Sequence, residues 1–225
     1  MNIGKEMPHV DYVTNTAPRL PCVLVVDGSY SMNGARITQL NEGLKLFAEE
    51  LKKDPTTRTG VRLKVIRAGG VVEELVDWTD AKDFEPPQVR AHGETPLGAA
   101  VNQALDDIEA EKVRMDAGDI VRKRAWLFVF TDGGPTDIAN VWENAAQRCR
   151  DMERKGTICS YGVGVDGADT VKLGELSGEN PPAMLQNIDF KPFFKFLTKS
   201  IKAGTMATKG ETVQGTGQTP WVFKA

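Results

Sequence analysis

The sequence predicts an α/β domain of the doubly wound kind, with a mostly parallel central sheet of about six strands, one antiparallel edge strand and helices on both faces. Two observations carry that expectation. The runs Pro21-Cys22-Val23-Leu24-Val25-Val26 and Ala125-Trp126-Leu127-Phe128-Val129-Phe130 are continuously apolar, as strands buried on both faces are, and each stops at an acidic loop. Between and after them, apolar residues return at three- and four-residue steps, so strand and helix alternate along the chain.

Residues 1–19 form a polar lead-in carrying Lys5, Glu6, Pro8 and Asp11, without the apolar stretch of a signal segment. The main domain spans residues 20–203. Its first strand ends at Asp27-Gly28. Ile37, Leu40, Leu44, Phe47, Ala48 and Leu51 then mark one face of a helix, which Lys52-Lys53-Asp54-Pro55 closes with cations and a proline. Val61-Arg62-Leu63-Lys64-Val65 alternates like a strand, and Gly69-Gly70 suits a tight hairpin into a second strand over residues 71–76, the antiparallel edge. Residues 80–95 are polar, contain Pro86-Pro87, and read as an irregular crossing.

A helix begins at Pro96, with Leu97, Ala100, Val101, Ala104, Leu105 and Ile108 on one face. After the second apolar strand, Ile138, Val141, Trp142, Ala145, Cys149 and Met152 mark another helix, ended by Gly156. Residues 157–165 read as a strand, 170–176 as a short helix and 183–185 as a last short strand. Phe193, Phe194, Leu197 and Ile201 are the buried face of a final helix. Over residues 204–225 Gly, Thr, Lys and Gln take over, a composition expected to give a flexible tail interrupted by Trp221-Val222-Phe223.

At 225 residues the chain suits one large domain and is short for two. A net charge of −3 provides no broad basic field, which argues against a nucleic-acid partner, and Arg122-Lys123-Arg124 reads as a solvated strand entrance. The odd number of cysteines, Cys22, Cys149 and Cys159, lie in apolar contexts without paired spacing, as core thiols of a reducing compartment do. No segment approaches the ~20 apolar residues of a membrane span. The expected address is cytoplasmic.

Asp27 and Asp132 each follow a buried strand, and the carboxyl ends of central strands are where ligands bind in an open parallel sheet. Ser29 and Ser31 come directly after Asp27, and Thr95-Pro96 opens a helix, so three hydroxyls reach the same pole. Asp27, Ser29, Ser31, Thr95 and Asp132 form an all-oxygen set suited to a hard cation such as Mg²⁺, with Mn²⁺ or Ca²⁺ as variants. A cation held largely by neutral hydroxyls stays under-neutralised and attracts a carboxylate from a partner. Taken singly, Ser31 and Thr95 read better as helix N-caps, and Asp27 and Asp132 read equally well as turn acids. The ordered combination carries the reading.

Asp27-Gly28-Ser29-Tyr30-Ser31, Thr95 and Asp132 resemble the metal-ion-dependent adhesion site (MIDAS) of von Willebrand factor type A (VWA) domains. Thr95-Pro96-Leu97-Gly98-Ala99-Ala100, Thr131-Asp132-Gly133-Gly134-Pro135-Thr136-Asp137 and Phe193-Phe194-Lys195-Phe196-Leu197 are similar to motifs of the TerY-like branch, associated with tellurium resistance and stress operons. The resemblance implies Ser29, Ser31 and Thr95 as direct ligands, with Asp27 and Asp132 often acting through water. It also implies a non-enzymatic adaptor that grips an Asp or Glu of another protein, in that branch often encoded beside kinase- and phosphatase-like proteins. Tyr30 and Glu94 depart from the branch, which has a small residue and a glycine at those places. Tyr30 is either a packed ring or a rim contact for the partner, and Glu94 either a solvated acid or an extra charge beside the metal. Gly133 completes the expected rim.

The enzymatic alternative is a haloacid-dehalogenase-like, Mg²⁺-dependent phosphohydrolase with Asp27 as nucleophile. That chemistry needs an acid two residues on, where Ser29 stands. A dinucleotide site would need a third glycine after Gly162-x-Gly164, and His9 and His92 supply a Ser-His-Asp mechanism poorly. A structural VWA domain with a vacant metal site is the remaining alternative.

Overall fold

Strand β1 (Leu20–Asp27) is buried along its whole length, because its side chains alternate between two separate cores. The computed structural model describes residues 18–165, 167–185, 190–207, 211–214 and 222–224. Residues 1–17 of the lead-in, with His9, lie outside that range, as does Trp221. Cys22, Leu24 and Val26 face the core beneath α1 (Ala35–Lys53) and α6 (Phe190–Met206), whereas Val23 and Val25 face the one beneath α3 (Leu97–Ala117) and α4 (Ala139–Arg154). Helices thus cover both faces of the sheet.

The other strands are β2 (Val61–Gly69), β3 (Val71–Asp80), β4 (Ala125–Thr131), β5 (Ile158–Gly164) and β6 (Ala183–Met184). They lie in the order β3-β2-β1-β4-β5-β6. Every neighbouring pair is parallel except β2 and β3, which form the expected antiparallel edge. Chain order therefore reverses direction between β1 and β4, the place where such a sheet opens a crevice at its carboxyl pole. Gly70 turns the hairpin with φ of 68°, a left-handed conformation that glycine adopts without steric cost.

Two expectations are corrected. Pro55 does not simply stop the preceding helix; it opens a further short one, α2 (Pro55–Gly60), whose Thr56 and Thr57 N–H groups donate to the Asp54 carboxylate. Proline is compatible with that first turn because its missing N–H would have no helical partner there. Helical order also continues beyond residue 203, since α6 runs to Met206 and Lys123 Nζ donates to the carbonyls of Gly204, Thr205 and Ala207. Farther on, β7 (Thr212–Gln214) pairs antiparallel with β8 (Val222–Lys224), inside the stretch that composition alone reads as tail. Between β5 and β6, α5 (Thr170–Glu175) is capped by Asp169, which accepts from the N–H groups of Val171 and Lys172.

Candidate metal centre

Asp27 closes β1 and is fully buried. Its Oδ1 accepts the Ser29 N–H at 2.8 Å, and its Oδ2 accepts the Thr131 hydroxyl at 2.6 Å from the end of the adjacent β4. One residue after Thr131, Asp132 accepts the Ser31 hydroxyl on Oδ1 at 2.6 Å. Ser29 Oγ and Ser31 Oγ lie 2.9 Å apart. Because the Ser31 proton points to Asp132, Ser29 is the donor of that bond, and hydrogen bonds run Ser29 to Ser31 to Asp132. A hydroxyl that donates to a carboxylate keeps oxygen lone pairs for another partner. Ser29 is buried and Ser31 is exposed, so the pair reaches from the sheet to solvent.

Thr95 arrives on a loop stitched to the Gly28–Ser31 turn. His92 N–H donates to the Gly28 carbonyl at 2.7 Å, and Tyr30 N–H to the Gly93 carbonyl at 2.9 Å. Glycine at 69 permits a further close approach, for a Cβ there would stand 2.3 Å from the Gly28 oxygen. Thr95 exchanges two hydrogen bonds with Thr136, its N–H donating to Thr136 Oγ1 at 3.0 Å and its carbonyl accepting the Thr136 N–H at 2.9 Å. Those contacts, with the Leu97 N–H on its carbonyl, use backbone and leave the Thr95 hydroxyl uncommitted among the described residues.

Neither hydroxyl expected as a possible N-cap acts as one. Gly34 precedes α1 and Pro96 precedes α3, each without a side-chain cap bond. Asp137 instead satisfies the first turn of α3, accepting from Gly98 N–H at 2.7 Å and Ala99 N–H at 3.0 Å. Asp27 does fill the turn-acid role through Ser29, alongside its place in the site. Tyr30 stands at the rim, 64% exposed, with its ring centroid 5.7 Å from that of His92. Glu94 is exposed. Gly133 is half-buried, its N–H donates to Thr131 Oγ1 at 3.1 Å, and the space a Cβ would occupy is open.

In the sequence Thr131, Thr136 and Asp137 stand out only as parts of motifs, and Arg36 does not stand out at all. Arg36 Nη1 lies 3.1 Å from Asp132 Oδ2 and donates to the Ser31 carbonyl at 3.0 Å. Thr131 carried a readable signal, as a hydroxyl ending an otherwise apolar strand. Arg36 carried none, since it sits among the polar residues of an amphipathic helix.

The donor set fits a hard divalent cation. Burial pushes the Asp27 carboxyl up, hydrogen bonds from Thr131 and Ser29 oppose the rise, and the charge of Asp132 adds to it. Asp132 Oδ2 is buried and accepts no hydrogen bond among the described residues, with Arg36 as its counter-charge. Two close carboxylates in such surroundings are stabilised by positive charge. Among the described residues no group of three or more His, Cys, Asp or Glu could hold a metal ion, so a cation at this pole would rely on the hydroxyls of Ser29, Ser31 and Thr95.

A family model described as the von Willebrand factor type A domain matches residues 22–198. The chain belongs to that family. Solved structures of similar fold include the pilus adhesin SpaC from Lactobacillus rhamnosus GG in its open conformation, at 14% identity and a TM-score of 0.67, covering 84% of this chain and 30% of that one. The vWF domain of the type V pili tip protein Mfa5 from Porphyromonas gingivalis matches at 12% identity and a TM-score of 0.64, over 86% of this chain and 98% of that one. A von Willebrand factor type A protein from Catenulispora acidiphila matches at 15% identity and a TM-score of 0.59, over 83% and 43%. This VWA chain thus spans less than half the length of two of those three. At such identities the likeness is one of fold. No curated protein matches the sequence.

Proposed function

We propose that this VWA domain is a metal-dependent protein-binding module in which Ser29, Ser31 and Thr95 hold Mg²⁺ directly and Asp27 and Asp132 complete the site from behind them, acting through water. The observation that carries the reading is the Ser29–Ser31–Asp132 relay, with its 2.9 Å and 2.6 Å links, at the carboxyl ends of the paired strands β1 and β4, where the strand order reverses. When bound, the cation supplies an electrophilic position for the Asp or Glu side chain of a partner protein. The chain's own residues do the rest. Asp27 and Thr131 lock the two strand ends together, Thr136 fixes the Thr95 backbone, and Tyr30, Glu94 and Gly133 surround the mouth as contact surface.

Burial of Asp27 supports a non-enzymatic role, because a nucleophile needs an accessible oxygen and both of its oxygens already accept hydrogen bonds. The motif similarities support placing the domain in the TerY-like, tellurium-resistance and stress-associated branch, with kinase- or phosphatase-like proteins as candidate partners. For a cytoplasmic address the support is three free, buried cysteines. No helix among the described residues is long and apolar enough to cross a membrane.

Calorimetric titration with Mg²⁺ tests the proposal. The unaltered chain binds one ion, and Ser29→Ala and Thr95→Ala lose that binding while keeping the native circular dichroism. Equal binding by the unaltered protein and both variants, or no binding by any of them, refutes the site.

A further inference from the structure

We infer that Arg36 is an internal counter-ion of this site, which competes with a divalent cation for Asp132 and thereby sets the affinity with which the cation is held. The inference rests on the metal-site reading above and adds to it a residue that tunes it.

Asp132 has both carboxylate oxygens engaged from within the chain. Ser31 Oγ donates to Oδ1 at 2.6 Å, and Arg36 Nη1 stands 3.1 Å from Oδ2. The Asp132 side chain is 0% exposed, and a buried carboxylate without a compensating charge is strongly destabilising. Arg36 provides that charge. The same guanidinium donates to the carbonyl of Ser31 at 3.0 Å, so it grips both the acid and the backbone beside one of the proposed ligands.

The position of Arg36 on its helix supports this assignment. It lies in the first turn of α1, which contains no acidic residue. Positive charge at a helix N-terminus opposes the macrodipole, so helix stability gives no reason for an arginine there. Asp132 gives one. The Arg36 side chain is 32% exposed, and an arginine so placed can turn its head into water while its stem stays against the protein. A cation attracted by Asp132 and a guanidinium already beside it repel one another, so each weakens the other's hold.

The test is Mg²⁺ calorimetry on the full chain and on the variants R36Q, R36K and T95A, each at low and at moderate salt. Removal of the guanidinium makes R36Q bind Mg²⁺ roughly five- to twentyfold tighter than the unaltered chain. R36K falls between the two, because it keeps the charge without the planar fork. The gap narrows as salt rises, as screening requires of a partly exposed charge. Binding by the unaltered chain that R36Q matches or weakens, while T95A abolishes it, overturns the counter-ion role and leaves the metal site standing. An absence of binding in both the unaltered chain and R36Q overturns the metal site, and this inference with it.

Discussion

Thr131 Oγ1 donates to Asp27 Oδ2 at 2.6 Å, joining the ends of two parallel strands through a buried alcohol and a buried acid. Thr131→Val keeps the shape of the side chain and removes the donor. The expected result is a loss of about 1–3 kcal/mol in urea unfolding, the cost of leaving a buried acceptor unpaired. Thr131→Ser, which restores the hydroxyl, recovers most of it. Equal stability of the valine and serine variants would show that the bond does not hold the strand ends.

Magnesium should stabilise the folded chain by mass action. At a free concentration a hundred times the dissociation constant, the gain is about 2.7 kcal/mol. Differential scanning fluorimetry with Mg²⁺ and then with excess chelator reads it as a reversible rise in melting temperature. Ser29→Ala shows no rise. Stabilisation of that variant to the same degree would place the ion elsewhere.

Asp54 ties α2 to α6 by accepting from Thr56 and Thr57 N–H groups and by pairing with Lys202 Nζ at 2.5 Å. Lys202 is the main reason its carboxyl is held below the usual aspartate range, with the cap bonds adding to the effect against a smaller opposing contribution from burial. A lowered folded-state pKa means that the stabilisation is present above the unfolded pKa and is lost as pH falls through the folded one. At neutral pH Asp54→Ala costs about 1 kcal/mol for the missing cap, and the difference from the unaltered chain shrinks below pH ~4. Asp54→Asn, which can still cap, separates the two contributions. A gap that stays constant from neutral to acid pH refutes the charge assignment.

Gly43 sits where α1 meets α6, and a Cβ there would stand 2.5 Å from Phe194 Cδ2. Phe194 stacks on Phe130 with ring centroids 5.5 Å apart and also touches Phe47 and Phe193, so it has little room to yield. Alanine favours a helix over glycine by about 1 kcal/mol. Overpacking costs about 1–3 kcal/mol, so Gly43→Ala is expected to be net destabilising by chemical denaturation. An increase in stability would show that the two helices separate at no cost.

The carboxylate pair was legible because each acid follows an apolar run and so falls at the carboxyl pole of the sheet, where an open parallel sheet binds ligands. The hydroxyls were legible only as a set, since Ser31 and Thr95 individually fit helix starts better; Gly34 and Pro96 hold those positions, and Asp137 accepts from the first turn of α3. Arg36 was not legible, for its partner lies far along the chain and only the approach of α1 to the end of β4 brings them together. Pro55 concealed α2 because a proline that ends one helix can also begin the next. The order in α6 beyond residue 203 depends on Lys123, a residue that reads as one more solvated cation before β4.

Lys123 fastens the final turn of α6 just ahead of β4, at the amino end of the sheet, while the hydroxyl cluster sits at the other end of β1 and β4. The anchorage of the last helix and the hydroxyl cluster therefore stand at opposite ends of the same two strands, so that a substitution at Lys123 acts far from the hydroxyls and its effect should add to theirs rather than couple with it.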